Sequence, residues 1–229
     1  MKIVAIHQPN YLPWAGYFYK ILKCDTFVFL DNVQYEKSSF INRNRIKTSQ
    51  GAAWLTVDVI TKNRFGQFIN EVEINNRVSW AKKHWRSISQ NYSKAPNFDA
   101  YRDFFENTYQ RNWEKLVDLN KYLIVAICEI IGIKDTTILD ASELDVQGKG
   151  TELLINTSKA VNADVYLSGF GGAKYMEEDA FNNAGIKLKY YDFKHPVYTQ
   201  LFGEFIPNLS IIDLLFNEGE KSIQILRGI

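Results

Sequence analysis

The residues best suited to chemistry lie near the start of the chain, in the stretch HQPNYLPWAGY at residues 7–17. His7 follows an apolar run directly, where an imidazole can act as a general acid or base or bind phosphate. Nearby amides can orient a polar substrate, and a glycine lets a backbone or ligand approach closely. The candidate site residues here are His7, Gln8, Asn10, Tyr11, Trp14 and Gly16. The alternative is a turn stiffened by prolines and packed by its aromatic side chains.

A second polar stretch, LDNVQYEKSSFINRNRIK at residues 30–47, follows another apolar run. Asp31 ends that run and can bind the amine or hydroxyls of an acceptor. Arginine suits two-pronged recognition of carboxylate or phosphate, so Arg43 is expected to bind such a group. The candidate binding residues are Gln34, Asn42, Arg43 and Arg45. For any single basic residue here, the alternative is a solvated loop.

A third stretch, YLSGFGGAKY at residues 166–175, places a serine and three glycines between a predicted strand and a predicted helix. Such a loop can present backbone N–H groups to an anion. Its pattern is neither a P-loop nor GxGxxG, and the alternative is a connection that needs positive φ angles. The candidate binding residues are Ser168, Gly169, Gly171, Gly172, Lys174 and Tyr175.

The other polar residues give weaker signals. His195 precedes a proline, which keeps it out of a helix, and it is a candidate for the same site. Ser210 suits the N-cap of the last helix, and Asp213 then complements the helix dipole. His84 is expected on a solvated helix face, and the alternative is a contact with a substrate. No cysteine or histidine cluster has metal-ligand spacing, so no metal site is predicted.

The elements that position these residues begin with a βαβ unit. Residues 2–6 and 25–32 read as buried strands, and 14–23 as the helix between them, with Pro13 suited to its first turn. A βαβ unit implies a parallel sheet, in which strand ends meet at one edge. His7 and Asp31 are therefore expected at the same edge, where such sheets bind ligands.

The rest of the chain continues this α/β pattern. Residues 53–60 and 67–74 read as a β-hairpin, and about 77–132 as a mainly helical insertion. Further strands are predicted at 136–142, 164–169 and 186–193, with helices at 151–161, 176–183 and 210–216. The prediction is one α/β domain over residues 1–229: a Rossmann-like (nucleotidyltransferase/HUP-like) parallel sheet with flanking helices, a hairpin and a helical insertion.

Composition excludes several classes of protein. The 27 Lys and Arg nearly balance the 26 Asp and Glu, so neither nucleic-acid binding nor membrane-surface binding is expected. No apolar run is long enough to span a bilayer, and no signal peptide is recognised. The two distant cysteines suit a reducing compartment, and the predicted location is the cytoplasm.

Several of these stretches together resemble the WbqC-like family. They are HQPNYLPWAGYFYKI, DTFVFLDNVQYEKSSFINRNRI, WLTVDV, NYSKAPNF, ADVYLSGFGGAKYM and HPVYTQLFGEFIPNLSIIDLLFNEG. The resemblance extends from residue 3 to about 219. That family occurs in bacterial O-antigen and polysaccharide gene clusters. The resemblance implies an enzyme that transfers a small acyl or aminoacyl group, with glycine as one suggestion, to a sugar or nucleotide-sugar.

The opening of the chain is also distantly similar to HxGH nucleotidyltransferase-like proteins such as pantothenate synthetase. His7 and Asn10 keep an H-x-x-N spacing, but aromatics replace the histidines around Gly16. The likeness makes ATP, with Mg²⁺, a candidate cofactor for activating the carboxylate. The alternatives are a pre-activated donor (acyl-CoA, aminoacyl-tRNA or nucleotide sugar) and a non-catalytic nucleotide- or sugar-binding partner. A homo-oligomer is compatible with either.

Overall fold

The fold is α/β, and its centre is a five-stranded parallel sheet with helices on its faces. The computed structural model describes residues 1–172 and 176–228. The strands are β1 (Ile3–His7), β2 (Thr26–Phe29), β3 (Arg43–Thr48), β4 (Gly51–Thr56), β5 (Thr137–Asp140), β6 (Val165–Gly169) and β7 (Lys187–Tyr191). The helices are α1 (Ala15–Leu22), α2 (Trp80–Tyr92), α3 (Phe98–Gln110), α4 (Leu116–Ile131), α5 (Gly150–Ala160), α6 (Glu178–Asn183), α7 (Ile211–Glu218) and α8 (Ser222–Arg227).

The order of the sheet creates one reversal point. Its strands run β5-β2-β1-β6-β7, and each neighbouring pair is parallel. From β1 the chain adds β2 and β5 on one side, then returns to add β6 and β7 on the other. Loops leaving β1 and β6 therefore diverge to opposite faces and leave a crevice between their carboxyl ends, as in other Rossmann-like sheets.

The inner strands are apolar because both faces of the sheet are covered. Val4, Ala5, Phe27 and Val28 are completely buried, which is typical of a parallel sheet between helices. The predicted βαβ opening is confirmed, as are strands at β5, β6 and β7. Helices α2 to α4 occupy most of the predicted helical segment.

The predicted hairpin is wrong in its position. The observed antiparallel pair is β3 with β4, so Arg43 and Arg45 lie in a strand rather than a loop. Residues 67–74 contain a short 3₁₀ turn, Ile69–Glu71, and only isolated bridges. The reason is the inner face of β3, where Asn44 and Ile46 are buried and the Asn44 amide donates to the Leu12 carbonyl at 2.6 Å. Burial of that face outweighs the polar composition of the strand.

The end of the chain also differs from the prediction. Ser210 caps α7 by accepting from the Ile212 N–H, as predicted, but a further helix, α8, follows. Within residues 1–172 and 176–228, no helix is both long and apolar enough to cross a membrane.

Candidate functional site

A cleft of about 450 Å³ opens at the reversal point of the sheet, between the carboxyl ends of β1 and β6. A volume of this order is usual for small-molecule sites. The described residues that line it are Ile6, His7, Trp14, Tyr17, Lys20, Tyr166, Ser168, Gly169, Gly171, Gly172, Met176, Tyr191 and Phe193. The first and third polar stretches of the sequence thus meet in one cavity.

His7 ends β1 and has one ring nitrogen committed to the protein. Its Nδ1 lies 3.0 Å from the Gln8 carbonyl, which can only accept, so in the neutral ring Nδ1 carries the proton. The acceptor nitrogen Nε2 is left for a ligand. Burial, together with the charge of Lys20, lowers the pKa of His7 to about 3, although the hydrogen bond to Gln8 opposes this. The imidazole is therefore neutral at physiological pH.

Lys20 is the functional candidate that sequence reasoning missed. It lies on the inner face of α1, is 3% exposed, and donates from Nζ to the Ile6 carbonyl at 2.8 Å. Within the described chain no carboxylate forms an ion pair with it. Burial lowers its pKa to about 8. Lys20 follows Gly16 by four residues and Tyr17 by three, so all three lie on one helix face. This spacing was the sequence signal that could have identified Lys20.

Aromatic side chains wall the cleft. The Trp14 indole packs directly over Gly16, where a Cβ would overlap it. The glycine thus accommodates Trp14 rather than a ligand. Tyr17 donates its hydroxyl to the Gln8 carbonyl at 3.0 Å and stands edge-on to His7 at 4.8 Å between ring centres. The Tyr191 hydroxyl reaches the Gly16 carbonyl at 3.5 Å and ties the end of β7 to α1.

The glycine-rich loop after β6 forms the other side. Ser168 is buried and donates to the Gly169 carbonyl at 3.1 Å. A Cβ on Gly172 would lie 2.7 Å from Ser168 Oγ, whereas one on Gly171 would meet nothing within 4 Å. The loop can therefore bring backbone close to a ligand. The predicted residues Lys174 and Tyr175 lie outside the described residues.

Asp31 lies at the carboxyl edge of the sheet, as predicted, but it does not line the cleft. Its buried carboxylate pairs with Lys121 Nζ at 2.7 Å, and Lys121 also pairs with Asp140 at 2.7 Å. The backbone and hydroxyl of Ser142 donate to it as well. Burial alone would lower the pKa of Lys121, but Asp140 and Asp31 raise it overall. The cluster joins β2, β5 and α4.

Two other predicted residues of the first stretch are structural in this arrangement. Asn10 is mostly buried, and Tyr11 is fully buried. The Tyr11 hydroxyl contacts His84 Nδ1 at 2.9 Å and also the Tyr109 hydroxyl. His84 Nε2 donates to the Thr56 carbonyl at 3.0 Å. The solvated position predicted for His84 is wrong, because this histidine is 5% exposed and burial lowers its pKa to about 4.

The second polar stretch lies outside the cleft lining. Gln34 is exposed and forms a backbone bridge with Phe68. Asn42 is buried and donates to the Val57 carbonyl at 3.1 Å. Arg43 and Arg45 stack against Trp54 on the hairpin. The structure therefore separates the arginines from His7.

His195 stands behind one wall of the cleft and is not in its lining. Its ring stacks with Trp14 at 6.3 Å between centres and contacts Phe205 at 5.6 Å. Asp213, predicted only to complement a helix dipole, is buried and accepts from three side chains that hold this region. They are Tyr92, Tyr198 and Gln200, at 2.7, 2.8 and 2.8 Å.

The electrostatic character of the cleft is cationic. Among its described lining residues none is acidic, and Lys20 supplies the charge. No group of three or more histidine, cysteine or acidic side chains placed to bind a metal occurs in the described part of the chain. A buried ammonium without a carboxylate is unfavourable unless an anion joins it. The arrangement is suited to holding phosphate or carboxylate beside a neutral imidazole.

Comparison with known proteins gives one family. The model of the WbqC-like protein family matches residues 8–225. The chain is also 41% identical over 229 residues to an uncharacterized protein of Mycobacterium tuberculosis (strain ATCC 25618 / H37Rv), a match covering 99% of this chain and 98% of the relative. No solved structure matches the chain.

Proposed function

Because this chain belongs to the WbqC-like protein family, we propose that it is a transferase of polysaccharide biosynthesis. It moves a small acyl or aminoacyl group, with glycine as the leading candidate, onto a sugar or nucleotide-sugar. The observation that carries the proposal is the uncompensated ammonium of Lys20 beside the neutral His7 at the reversal point of the sheet. That pair suits a substrate with a phosphate near the reacting centre.

Two residues of the cleft have separate roles, with His7 as the base and Lys20 as the group that binds the anion. An acceptor amine or hydroxyl bonds to the acyl carbon and gives its proton to His7 Nε2. The bond from the acyl carbon to the leaving group breaks, and the leaving group keeps the electron pair and binds to Lys20. A phosphate beside the imidazole raises the pKa of His7, because a nearby negative charge favours the imidazolium. The base therefore becomes effective only with substrate bound.

The lining favours a donor that arrives already activated. ATP, when bound, would supply activation of the carboxylate, and Lys20 with the 168–172 loop would hold its phosphates. However, none of the described lining residues is a carboxylate that could ligate Mg²⁺. An acyl thioester or an aminoacyl-tRNA already carries an activated acyl carbon and does not require such a ligand. The absence of a carboxylate from the described lining therefore favours transfer from a pre-activated donor over activation by ATP.

The test combines the protein with nucleotide-sugars and three donors: glycine with Mg²⁺-ATP, glycyl-coenzyme A and glycyl-tRNA. Mass spectrometry is expected to detect a glycyl-sugar product with one donor, and ATP–pyrophosphate exchange identifies the ATP route. His7→Gln should abolish the product, whereas the control His195→Gln, behind the wall, should retain it. Tight binding of nucleotide-sugar without product from any donor would contradict a transferase and support a non-catalytic binding partner.

A further inference from the structure

Two arginines and two exposed aromatic residues form a cationic surface on the β3–β4 hairpin, here called the Arg–Trp patch (Phe40, Arg43, Arg45 and Trp54). Arg43 and Arg45 share one face of β3 because they are two residues apart. Trp54 is paired with Arg45 across the hairpin. The guanidinium carbons of Arg43 and Arg45 lie 4.3 and 5.7 Å from the Trp54 ring centre.

Apart from their stacking on Trp54, the two guanidinium groups have no acidic or hydrogen-bonding side-chain partner among residues 1–172 and 176–228. Neither forms an ion pair or a side-chain hydrogen bond there, and the buried Nε of each lacks an acceptor. A guanidinium presents five N–H donors in a planar fork that matches the oxygens of phosphate. Both guanidinium groups stack on one indole, and no acidic side chain of the described residues pairs with them. Their two positive charges are therefore available to a ligand.

The aromatic groups make the patch more than a solvated basic strand. Trp54 is 46% exposed and Phe40 48% exposed, and their ring centres are 5.9 Å apart. Stacking on Trp54 restrains the guanidinium planes, so less freedom is lost when they bind an anion. The remaining ring surface can contact the flat face of a sugar or base.

We propose that the Arg–Trp patch is a second ligand site, which binds the phosphate of a ring-bearing phosphate ester. The ester is a sugar phosphate or a nucleotide. Arg43 and Arg45 bind the phosphate oxygens, and the exposed edges of Trp54 and Phe40 contact the ring. The site does not depend on the chemistry of the cleft, and neither arginine lines that cavity.

The test uses the full chain with Lys20→Met, which removes the cation of the cleft. Calorimetric titration compares glucose 1-phosphate, a sugar phosphate, with uridine monophosphate, a nucleotide. Glucose is the control, because it has a ring but no phosphate. At least one phosphate ester should bind, and glucose should bind more weakly. Arg43→Gln or Arg45→Gln should weaken ester binding about tenfold each. Arg86→Gln, which alters an exposed arginine of α2, should leave it unchanged.

A spectroscopic readout guards against misfolded variants. The indole N–H resonance of Trp54, assigned with Trp54→Phe, should shift when the ester is added. Arg43→Lys and Arg45→Lys keep the charge and should lose less affinity than the glutamine variants. Equal affinity in the Arg43→Gln, Arg45→Gln double variant, or no binding of either ester at millimolar concentration, would overturn the proposal. Neither result bears on the cleft, since its cation is absent throughout.

Discussion

Lys20 is the residue on which the account depends most. Its ammonium is buried with one carbonyl as its described partner, and burial lowers its pKa to about 8. A lysine shifted this far from its ordinary value destabilises the folded protein at neutral pH by roughly 3 kcal/mol. A residue that weakens the fold is understandable if it binds an anion, because stability and function often conflict at such sites.

Replacing Lys20 with methionine should therefore stabilise the free protein at pH 7. Between about pH 8 and 10.5 Lys20 binds fewer protons in the folded state than in the unfolded state, so its own contribution makes the unfolding free energy rise with pH there. Cys24 and Cys128, whose pKa values burial raises to about 12, oppose this rise equally in the wild type and the variant. Lys20→Met removes that rise. Urea denaturation between pH 7 and 11 measures both effects. The control is Lys23→Met, an exposed lysine just beyond α1, which should keep the rise. An unchanged pH dependence in Lys20→Met would show that the lysine is not perturbed.

Gly172 offers a test of how closely a ligand approaches the loop. A Cβ there would lie 2.5 Å from Met176 Cε and 2.7 Å from Ser168 Oγ, so Gly172→Ala should displace the loop and weaken binding of uridine diphosphate about tenfold or more. Gly171→Ala has room for its methyl group and should fold with an unchanged melting temperature. Calorimetry measures the affinity for uridine diphosphate, and thermal melting measures the stability of each variant. Unaltered affinity in Gly172→Ala would place the ligand elsewhere.

At the level of single residues, the sequence predicted part of the site. His7 and Ser168 were identifiable because each lies at the carboxyl end of a buried strand, and strand order then brings them together. Lys20 was missed because a lysine within an amphipathic helix usually lies on its solvated face. Tyr11 was included for its aromatic chemistry, but its position in the core depends on contacts with α2 and α3 that no local pattern encodes.

Among the elements, residues 192–209, here called the strap, have no helix or strand yet pack against the cleft wall. The strap is held by Asp213 through Tyr198 and Gln200, and Lys47 donates to Gln200 at 3.0 Å. Burial raises the pKa of Asp213, although hydrogen bonds from Tyr92, Tyr198 and Gln200 oppose this. One side chain of α7 therefore organises a long irregular segment.

Substituting Asp213 should loosen the strap. Asp213→Ala leaves the buried hydroxyls of Tyr92 and Tyr198 without their acceptor, which costs about 2–4 kcal/mol. Hydrogen exchange of residues 192–209 should accelerate more than that of β1 and β6. Asp118→Ala is the matched control, since it alters the same position of the first turn of α4 but is exposed. Uniform acceleration across the chain would mean that Asp213 supports the whole fold rather than the strap.

The hairpin shows the limit of prediction at the scale of elements. The pattern NRNRIK was interpreted as a loop because its composition is polar, but alternation over Asn44 and Ile46 was present. The buried side chain of Asn44 is satisfied in the strand because its oxygen accepts from the Arg45 N–H and its amide nitrogen donates to the Leu12 carbonyl in a distant loop. That contact is tertiary, so local composition could not reveal it.

For the whole molecule, the parallel sheet was predictable and the placement of one loop was not. Buried strands that alternate with helices imply parallel pairing with few alternatives. They also place the ends of β1 and β2 at one edge, as observed. They do not say which loop crosses toward the reversal point. The loop after β6 does, whereas the chain after Asp31 turns toward the hairpin.

All three histidines have pKa values lowered by burial, to about 3 for His7, to about 4 for His84, and downward for His195. The unfolded state then binds more protons below about pH 6.5, so the unfolding free energy should fall on acidification. Asp213 opposes this fall in the unfolding free energy, because its raised pKa lets the folded state bind one proton that the unfolded state does not. His7 and His84 each contribute about 2 kcal/mol to this fall, so urea denaturation should show a loss of roughly 2–4 kcal/mol from pH 7 to 5. His195→Gln should reduce the loss, and equal stability at the two pH values would contradict the burial of these rings.

In the proposed function Lys20 holds an anion in the cleft. The most direct test of this role is calorimetric titration of uridine diphosphate into the Arg43→Gln, Arg45→Gln double variant, where the cleft is the proposed anion site. Affinity should be constant from pH 6.5 to about 8 and then fall about tenfold per pH unit as Lys20 loses its proton. Adding Lys20→Met should abolish binding. Equal affinity with and without Lys20, or no change of affinity above pH 8, would contradict the account.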